Sequence, residues 1–198
     1  MRCKLLVISL LIGVVASPSL AKPIRYDIDS AHTDISWMAD HLGFSKSIGE
    51  FGTSSGHITL DEEQPSESSV EITVDIASLH TGDSTFDKHL LAKEFFNYDE
   101  FKRATFKSTN VTLTGEKTAT VTGDLSLHGV TKPLTLGVTL NKIGKNAFSG
   151  KQTAGFTVRG LIYRSQYGMT YGLPLVGDQV DLVIEAEAVL STAAKPAP

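Results

Sequence analysis

Val70-Glu71-Ile72-Thr73-Val74-Asp75-Ile76 alternates apolar with polar residues without a break, and two later stretches repeat the pattern. In 119–127, Ala119, Val121, Gly123, Leu125 and Leu127 alternate with Thr120, Thr122, Asp124 and Ser126. In 179–190, Val180, Leu182, Ile184, Ala186, Ala188 and Leu190 hold one phase, against Gln179, Asp181, Glu185 and Glu187 in the other. Successive side chains of a strand point to opposite faces, so each stretch predicts a strand with one apolar side. Strands of this kind must stack as a sandwich or close into a barrel. Some positions on the apolar side are tiny (Ala119, Gly123, Ala186 and Ala188), which predicts an interior with room for an apolar ligand.

Working outward, eight main strands are expected at 33–41, 48–60, 70–77, 104–113, 118–127, 132–141, 151–163 and 179–190, with a short entry segment at 24–29. The connections carry turn residues, as in Asp61-Glu62-Glu63-Gln64-Pro65 and Thr114-Gly115-Glu116. Short polar loops between alternating strands predict an antiparallel meander, hence one all-β domain without internal repeat or linker. One segment breaks the pattern. Ser84-Thr85-Phe86-Asp87 reads as a capping box, and Leu90 and Leu91 follow Phe86 at helical spacing. A helix from Ser84 to Phe95 or Phe96 is therefore expected between the third and fourth strands, either plugging a sheet edge or forming a wall or lid of the cavity.

The first residues read as a removable leader. Met1-Arg2-Cys3-Lys4 is basic, 5–16 is almost wholly apolar, and Ser19 and Ala21 are small, so a secretory signal over 1–21 with cleavage after Ala21 is expected. Cleavage removes Arg2, Lys4 and the one cysteine; no Asp or Glu goes with them, so the formal charge moves from −4 to −6. The remaining 22–190 is ample for one core, and 191–198 reads as a flexible tail. An acidic chain argues against nucleic acid as a partner, and no second long apolar stretch predicts stable membrane insertion.

The residues also carry a family resemblance. Tyr26-Asp27-Ile28-Asp29, His32-Thr33, the alternation Ile35, Trp37, Ala39, His41, and Leu42-Gly43-Phe44-Ser45 resemble the start of the YceI-like family, as do Gly49 and Phe51. Ser78-Leu79-His80-Thr81-Gly82, Asp87-Lys88-His89-Leu90, Glu94-Phe95-Phe96 and Ala104 through Thr109 look like its middle block. Gly123 through Pro133 is similar to its most recognisable hairpin, and Leu175-Val176-Gly177-Asp178 to the turn before its last strand. The resemblance implies an antiparallel eight-stranded lipocalin-like barrel in the periplasm, holding an isoprenoid-tailed molecule such as a polyprenyl compound or quinone. His80 stands where the family often has an acid, Phe101-Lys102 where it has Tyr-Pro, and Leu173 where an aromatic is common. These departures touch the helix loop and the barrel mouth, and so bear on which ligand is held.

From phase and resemblance together, the expected ligand-binding residues are Ile35, Trp37, Ala39, His41, Phe51, Phe95, Phe96, Leu136, Val138, Phe156, Leu182, Ile184 and Ala186. His41 is in phase with the apolar side. It reads either as a buried, satisfied imidazole or as a hydrogen-bonding partner for a polar head. The other histidines are scattered, with no H-E-x-x-H and no pair at i and i+4, so no metal, cofactor or catalytic residue is assigned. Arg159 and Arg164 read as surface charges rather than as a clamp for a diphosphate head. The main expectation is a non-enzymatic carrier of a long apolar molecule. The alternatives are a histidine-dependent metal-binding or antioxidant enzyme, and a filled barrel acting through its outer surface. A homodimer is compatible with the sequence and not required by it.

Overall fold

The structure, a computed structural model, describes residues 22–192. The leader expected at 1–21 and the tail from 193 onward lie outside the described residues.

Eleven strands form one sheet. They are β1 (Ile24–Ile28), β2 (Asp34–His41), β3 (Ser45–Phe51), β4 (Ser54–Leu60), β5 (Ser69–Asp75), β6 (Leu79–His80), β7 (Arg103–Leu113), β8 (Thr118–Leu127), β9 (Val130–Lys145), β10 (Gln152–Tyr163) and β11 (Val176–Leu190). The order is β1-β4-β5-β7-β8-β9-β10-β11-β2-β3-β6, and a further pairing of β1 with β11 closes the sheet. All pairings are antiparallel, and the result is the expected eight-stranded barrel. Eleven segments make eight staves because β1 and β2, β3 and β4, and β5 and β6 are each one stave broken in two. The entry segment at 24–29 is thus a true strand that closes the barrel. The strand expected at 48–60 is in fact two, interrupted at Gly52-Thr53.

The three breaks lie side by side and are stitched by side chains. Asp29 and Asp75 each cap a short 3₁₀ turn, accepting the amides of Ala31 and Ala77 at 3.1 and 3.0 Å. The Ser30 hydroxyl accepts the Ser54 amide at 3.1 Å, and the Ser78 hydroxyl accepts the Thr53 amide at 3.1 Å. Backbone groups that leave the ladder thereby keep partners, which buried or half-buried backbone requires.

Helix α1 (Ser84–Leu91) joins β6 to β7. It starts one residue earlier than the capping box implies: Asp83 is the cap, accepting Thr85 and Phe86 amides at 2.7 and 3.2 Å. It also ends earlier. Past Leu91 the chain winds through turns, with Phe96 N–H donating to Leu90 O at 3.0 Å and Tyr98 N–H to Leu91 O at 3.0 Å. Phe95 and Phe96 therefore leave the helix and are freed from its 100° spacing.

The tiny interior positions do not all leave space. Ala154 and Ala188, both fully buried, accommodate the Tyr26 ring, itself 1% exposed. A Cβ on Gly123 would sit 2.6 Å from the Phe106 ring, and one on Gly160 would meet Leu136. Ala39, Ala104, Ala119 and Ala186, by contrast, face open interior.

Thr33, fully buried at the first break, holds β11 with its side chain. Its hydroxyl donates to Glu187 O and accepts the Glu187 amide, each at 3.3 Å. Thr33→Val keeps the shape and leaves the Glu187 N–H without its partner, while Glu187 O keeps the Asp29 amide at 2.9 Å, so it should destabilise the fold by about 1–3 kcal/mol. Denaturant unfolding measures this, and an unchanged midpoint would show that the hydroxyl is dispensable.

Candidate functional site

Inward-facing positions of β2, β3, β5, β7, β8, β9, β10 and β11 enclose a cavity of about 520 Å³ that α1 and its following turns cover on one side. A smaller one, about 230 Å³, lies toward the opposite end, among residues such as Ile58, Leu60, Leu113 and Ala119. Ile72, Phe106, Leu136 and Ile184 line both and form the waist between them.

Of the expected site residues, Ile35, Trp37, Ala39, His41, Phe51, Phe95, Phe96 and Leu182 line the larger cavity, while Val138, Phe156 and Ala186 line the smaller. Leu136 and Ile184 line both. His41 needs correction: it does line the cavity but is exposed, because β2 ends there and its ring sits at the rim. The larger cavity also takes in residues that sequence reasoning did not single out. Phe106, Leu127, Leu134 and Ile162 share the phase of their strands' apolar sides and could have been found from it. Met169 and Tyr171 lie in the 164–175 loop, where no periodicity marks them.

The wall is aliphatic and aromatic, and no Asp or Glu lines the larger cavity. Its polar side chains include His41, Ser47, His89, Thr105 and Tyr171, at least partly exposed to solvent. Trp37 packs against Gly49, where an added Cβ would overlap the indole, so glycine there is what admits the ring. The indole N–H is buried without a partner among the described residues. Phe96 meets Phe51 edge-on at 5.5 Å between centroids. Phe95 meets His89 at 5.1 Å and Tyr171 at 5.3 Å, forming an aromatic cluster where α1 faces the 164–175 loop. Both phenylalanines thus face the interior, whereas two neighbours within a continuing helix would diverge.

Arg164 is not the surface charge the sequence led us to expect. It is 5% exposed, and its guanidinium donates to the carbonyls of Met169, Tyr171, Val176 and Gly177 at 2.8 to 2.9 Å. Burial pushes its pKa down and the nearby Asp178 carboxylate opposes this, but an arginine in a protein keeps its proton. The side chain is spent on shaping the 164–177 loop and the irregular stretch of β11 beside it, where Val176 pairs with His41 but Val180 already pairs with Ala39.

His41 and His89 line the larger cavity, at its exposed rim. Among the described residues, Asp29, His32 and Glu187 bring ligating atoms within 4.8 Å of one another, but none of the three lines either cavity. His32 Nδ1 is already bonded to Asp29 at 2.9 Å. His128 donates through Nδ1 to Tyr167 O at 2.8 Å, since a carbonyl can only accept, which fixes its tautomer in a structural role.

The helix that covers the larger cavity is tethered by Asp87. Its carboxylate accepts the Thr81 amide at 2.8 Å and hydroxyl at 2.6 Å. The Thr81 bonds hold this carboxyl below the ordinary carboxylate range. The tether's contribution is present above the unfolded-chain pKa, near 3.9, and is lost as pH falls through the lower folded value. Asp87→Asn should therefore lower the thermal midpoint at neutral pH and approach the unaltered protein once the pH falls below the lowered folded-state value. Parallel curves at all pH values would show that the charge plays no part.

Comparison with known proteins agrees with this geometry. Residues 26–188 match the model of the YceI-like domain. A UPF0312 protein of Photorhabdus laumondii is 40% identical over 174 residues, 88% of this chain and 90% of its own length. Among solved structures, BcnA of Burkholderia cenocepacia superposes with a TM-score of 0.73 at 24% identity, over 81% of this chain and 99% of its own. A polyisoprenoid binding domain from Saccharophagus degradans, implicated in plant cell wall breakdown, gives 0.64 at 14% identity, over 85% and 99%. A closed barrel of this topology, matched by the family model along almost its whole described length, places the chain in the YceI-like family.

Proposed function

We propose that this protein is a carrier or scavenger that shelters a long apolar molecule, of the isoprenoid-tailed class, inside its barrel. The observation that carries the reading is the 520 Å³ apolar cavity, without a carboxylate in its wall and continued by a second chamber past the waist. A cavity of that size lies within the range of small-molecule sites, and its chemistry selects for hydrocarbon. Each buried CH₂ contributes about 0.8 kcal/mol, so a five-carbon isoprene unit brings about 4 kcal/mol. Several units together exceed the cost of immobilising the ligand and allow tight binding without a charged contact. The polar residues at the rim, His41, His89 and Tyr171, would face the head of such a molecule while its tail runs toward the waist. The domain from Saccharophagus degradans that shares this fold is described as polyisoprenoid-binding, which supports the ligand class.

Catalysis is not part of this reading, because the cavity brings no nucleophile, base and orienting group together. The leader-like start of the sequence supports action in the periplasm after export. No helix among the described residues is long and apolar enough to cross a membrane.

Organic extraction of the purified protein followed by mass spectrometry names the ligand directly. Two cavity-filling variants test the space. Ala39→Trp in the larger chamber and Ala186→Phe in the smaller place a ring where ligand would lie. In a close-packed interior such changes cost about 1–3 kcal/mol, whereas here, with lipid stripped from all proteins, stability should hardly change and co-purifying lipid should drop. Replacing Phe95 and Phe96 with Ser should speed ligand loss more than it lowers the thermal midpoint. Strong destabilisation of both filled variants, with no lipid above background in the unaltered protein, would refute the carrier.

A further inference from the structure

The mouth of the larger cavity is bordered on one side by two loops with an unusual surface. The β2–β3 turn, 42–45, and the β10–β11 loop past its buried Arg164, 165–175, contain no Asp, Glu, Lys or Arg, although such residues are 20% of the chain; the charges flanking the turn are Asp40, whose carboxylate accepts the Gly43 amide at 2.9 Å, and Lys46. The two loops are joined: Leu42 N–H donates to Leu175 O at 3.1 Å, and His41 pairs with Val176. Together they expose Phe44 at 89%, Leu175 at 68%, Tyr171 at 51% and Leu42 at 44%. Tyr171, His41 and Val176 also line the cavity, so the exposed apolar rim runs without interruption into the apolar interior. At the other end of the barrel, Phe148 is fully exposed in a loop flanked by Lys145 and Lys151.

Leu42 adds an independent observation. Its φ is +59° and that of Gly43 is +72°, as a tight hairpin requires. That backbone favours Asn, Asp or Gly, and a leucine there is strained. The side chain is almost half exposed, so burial within this chain does little to offset the strain. An outside apolar partner would.

We propose that this apolar lip docks on the surface of a lipid bilayer, with Leu42, Phe44 and Leu175 entering the boundary between headgroups and acyl chains and Tyr171 at headgroup level. Apolar tips without charge suit that boundary, where a buried charge would be costly, and an aromatic ring with a polar end suits its edge. Docking would set the mouth against the membrane and let an apolar ligand pass without crossing water. The proposal rests on the carrier reading for its purpose, though not for its surface chemistry.

The test uses flotation with vesicles of phosphatidylethanolamine and phosphatidylglycerol, comparing the unaltered protein with L42N/F44S/L175S. Asn suits the left-handed position, so the triple variant should fold. F44S alone, at a residue 89% exposed, serves as the second variant. Trp37, the one tryptophan and a cavity residue, reports occupancy through quenching by a decyl-tailed benzoquinone. The unaltered protein should float, and the triple variant should float at least tenfold less. Quinone presented in vesicles should quench Trp37 at least tenfold more slowly in the variant, while quinone presented in cyclodextrin quenches both alike. Equal flotation of the two proteins, or none by either, overturns the lip; no flotation with normal quenching leaves the carrier reading standing and makes the lip a surface for a protein. Flotation that differs without quenching from either source upholds the lip and sinks the carrier.

Discussion

A barrel exists only if its last strand finds its first, and here that closure is shared between two short segments. β11 pairs with β2 through Glu185 and with β1 from Ala188 onward, and Glu187 between them has no ladder partner on that side. The Thr33 hydroxyl and the Asp29 amide take its backbone groups instead. The break in this stave is answered by breaks in the next two, at Gly52-Thr53 and at 76–78, because a strand displaced from its path no longer matches an unbroken neighbour. Closure therefore comes with a bent side.

The same sequence device, a small residue on the apolar side of a strand, serves opposite ends. Ala154 and Ala188 are small because Tyr26 fills the place beside them, and Gly123 is small because Phe106 lies against it. Ala39 and Ala186 are small with nothing opposite. Protein interiors are close-packed, and a space of this size leaves its wall without dispersion partners. A ligand that filled it would restore those contacts and stabilise the folded state by mass action. The waist of Ile72, Phe106, Leu136 and Ile184 divides that space, so the length of an occupant decides whether it meets one chamber or both.

Much of the fold was legible because alternation is written into every stave, and the side on which each of the eleven strand residues among the thirteen expected falls follows from phase. What periodicity could not show lies in segments that have none. The helix was recognisable from its cap and Leu90, yet its early end, which turns Phe95 and Phe96 inward together, depends on turns between Leu90 and Tyr98 that no local signal marks. Arg164 is the clearest case. A lone arginine after a strand reads as a surface charge, and only the convergence of four carbonyls from 169–177 on one guanidinium reveals otherwise. His41 was in the right phase and misjudged in burial, since phase gives the side of a strand and not the distance from its end.

Charge is distributed to match these roles. Among the described residues, the deeply buried cation near the mouth, Arg164, gives four of its five N–H groups to backbone carbonyls, which leaves little to clamp an anionic head. The larger cavity presents no carboxylate, and its ionisable side chains besides Arg164 are the imidazoles of His41 and His89 and the phenol of Tyr171. Such a wall discriminates weakly among hydrocarbons, because a methylene more or less changes only the area buried. Selection by chemical detail must then fall to the rim, where hydrogen-bonding groups are exposed, and to the loops around it. Those loops are the parts that departed from the family pattern in sequence, at His80, at Phe101-Lys102 and at Leu173. On the proposed carrier reading, the barrel would set the class of ligand and its mouth the choice within that class.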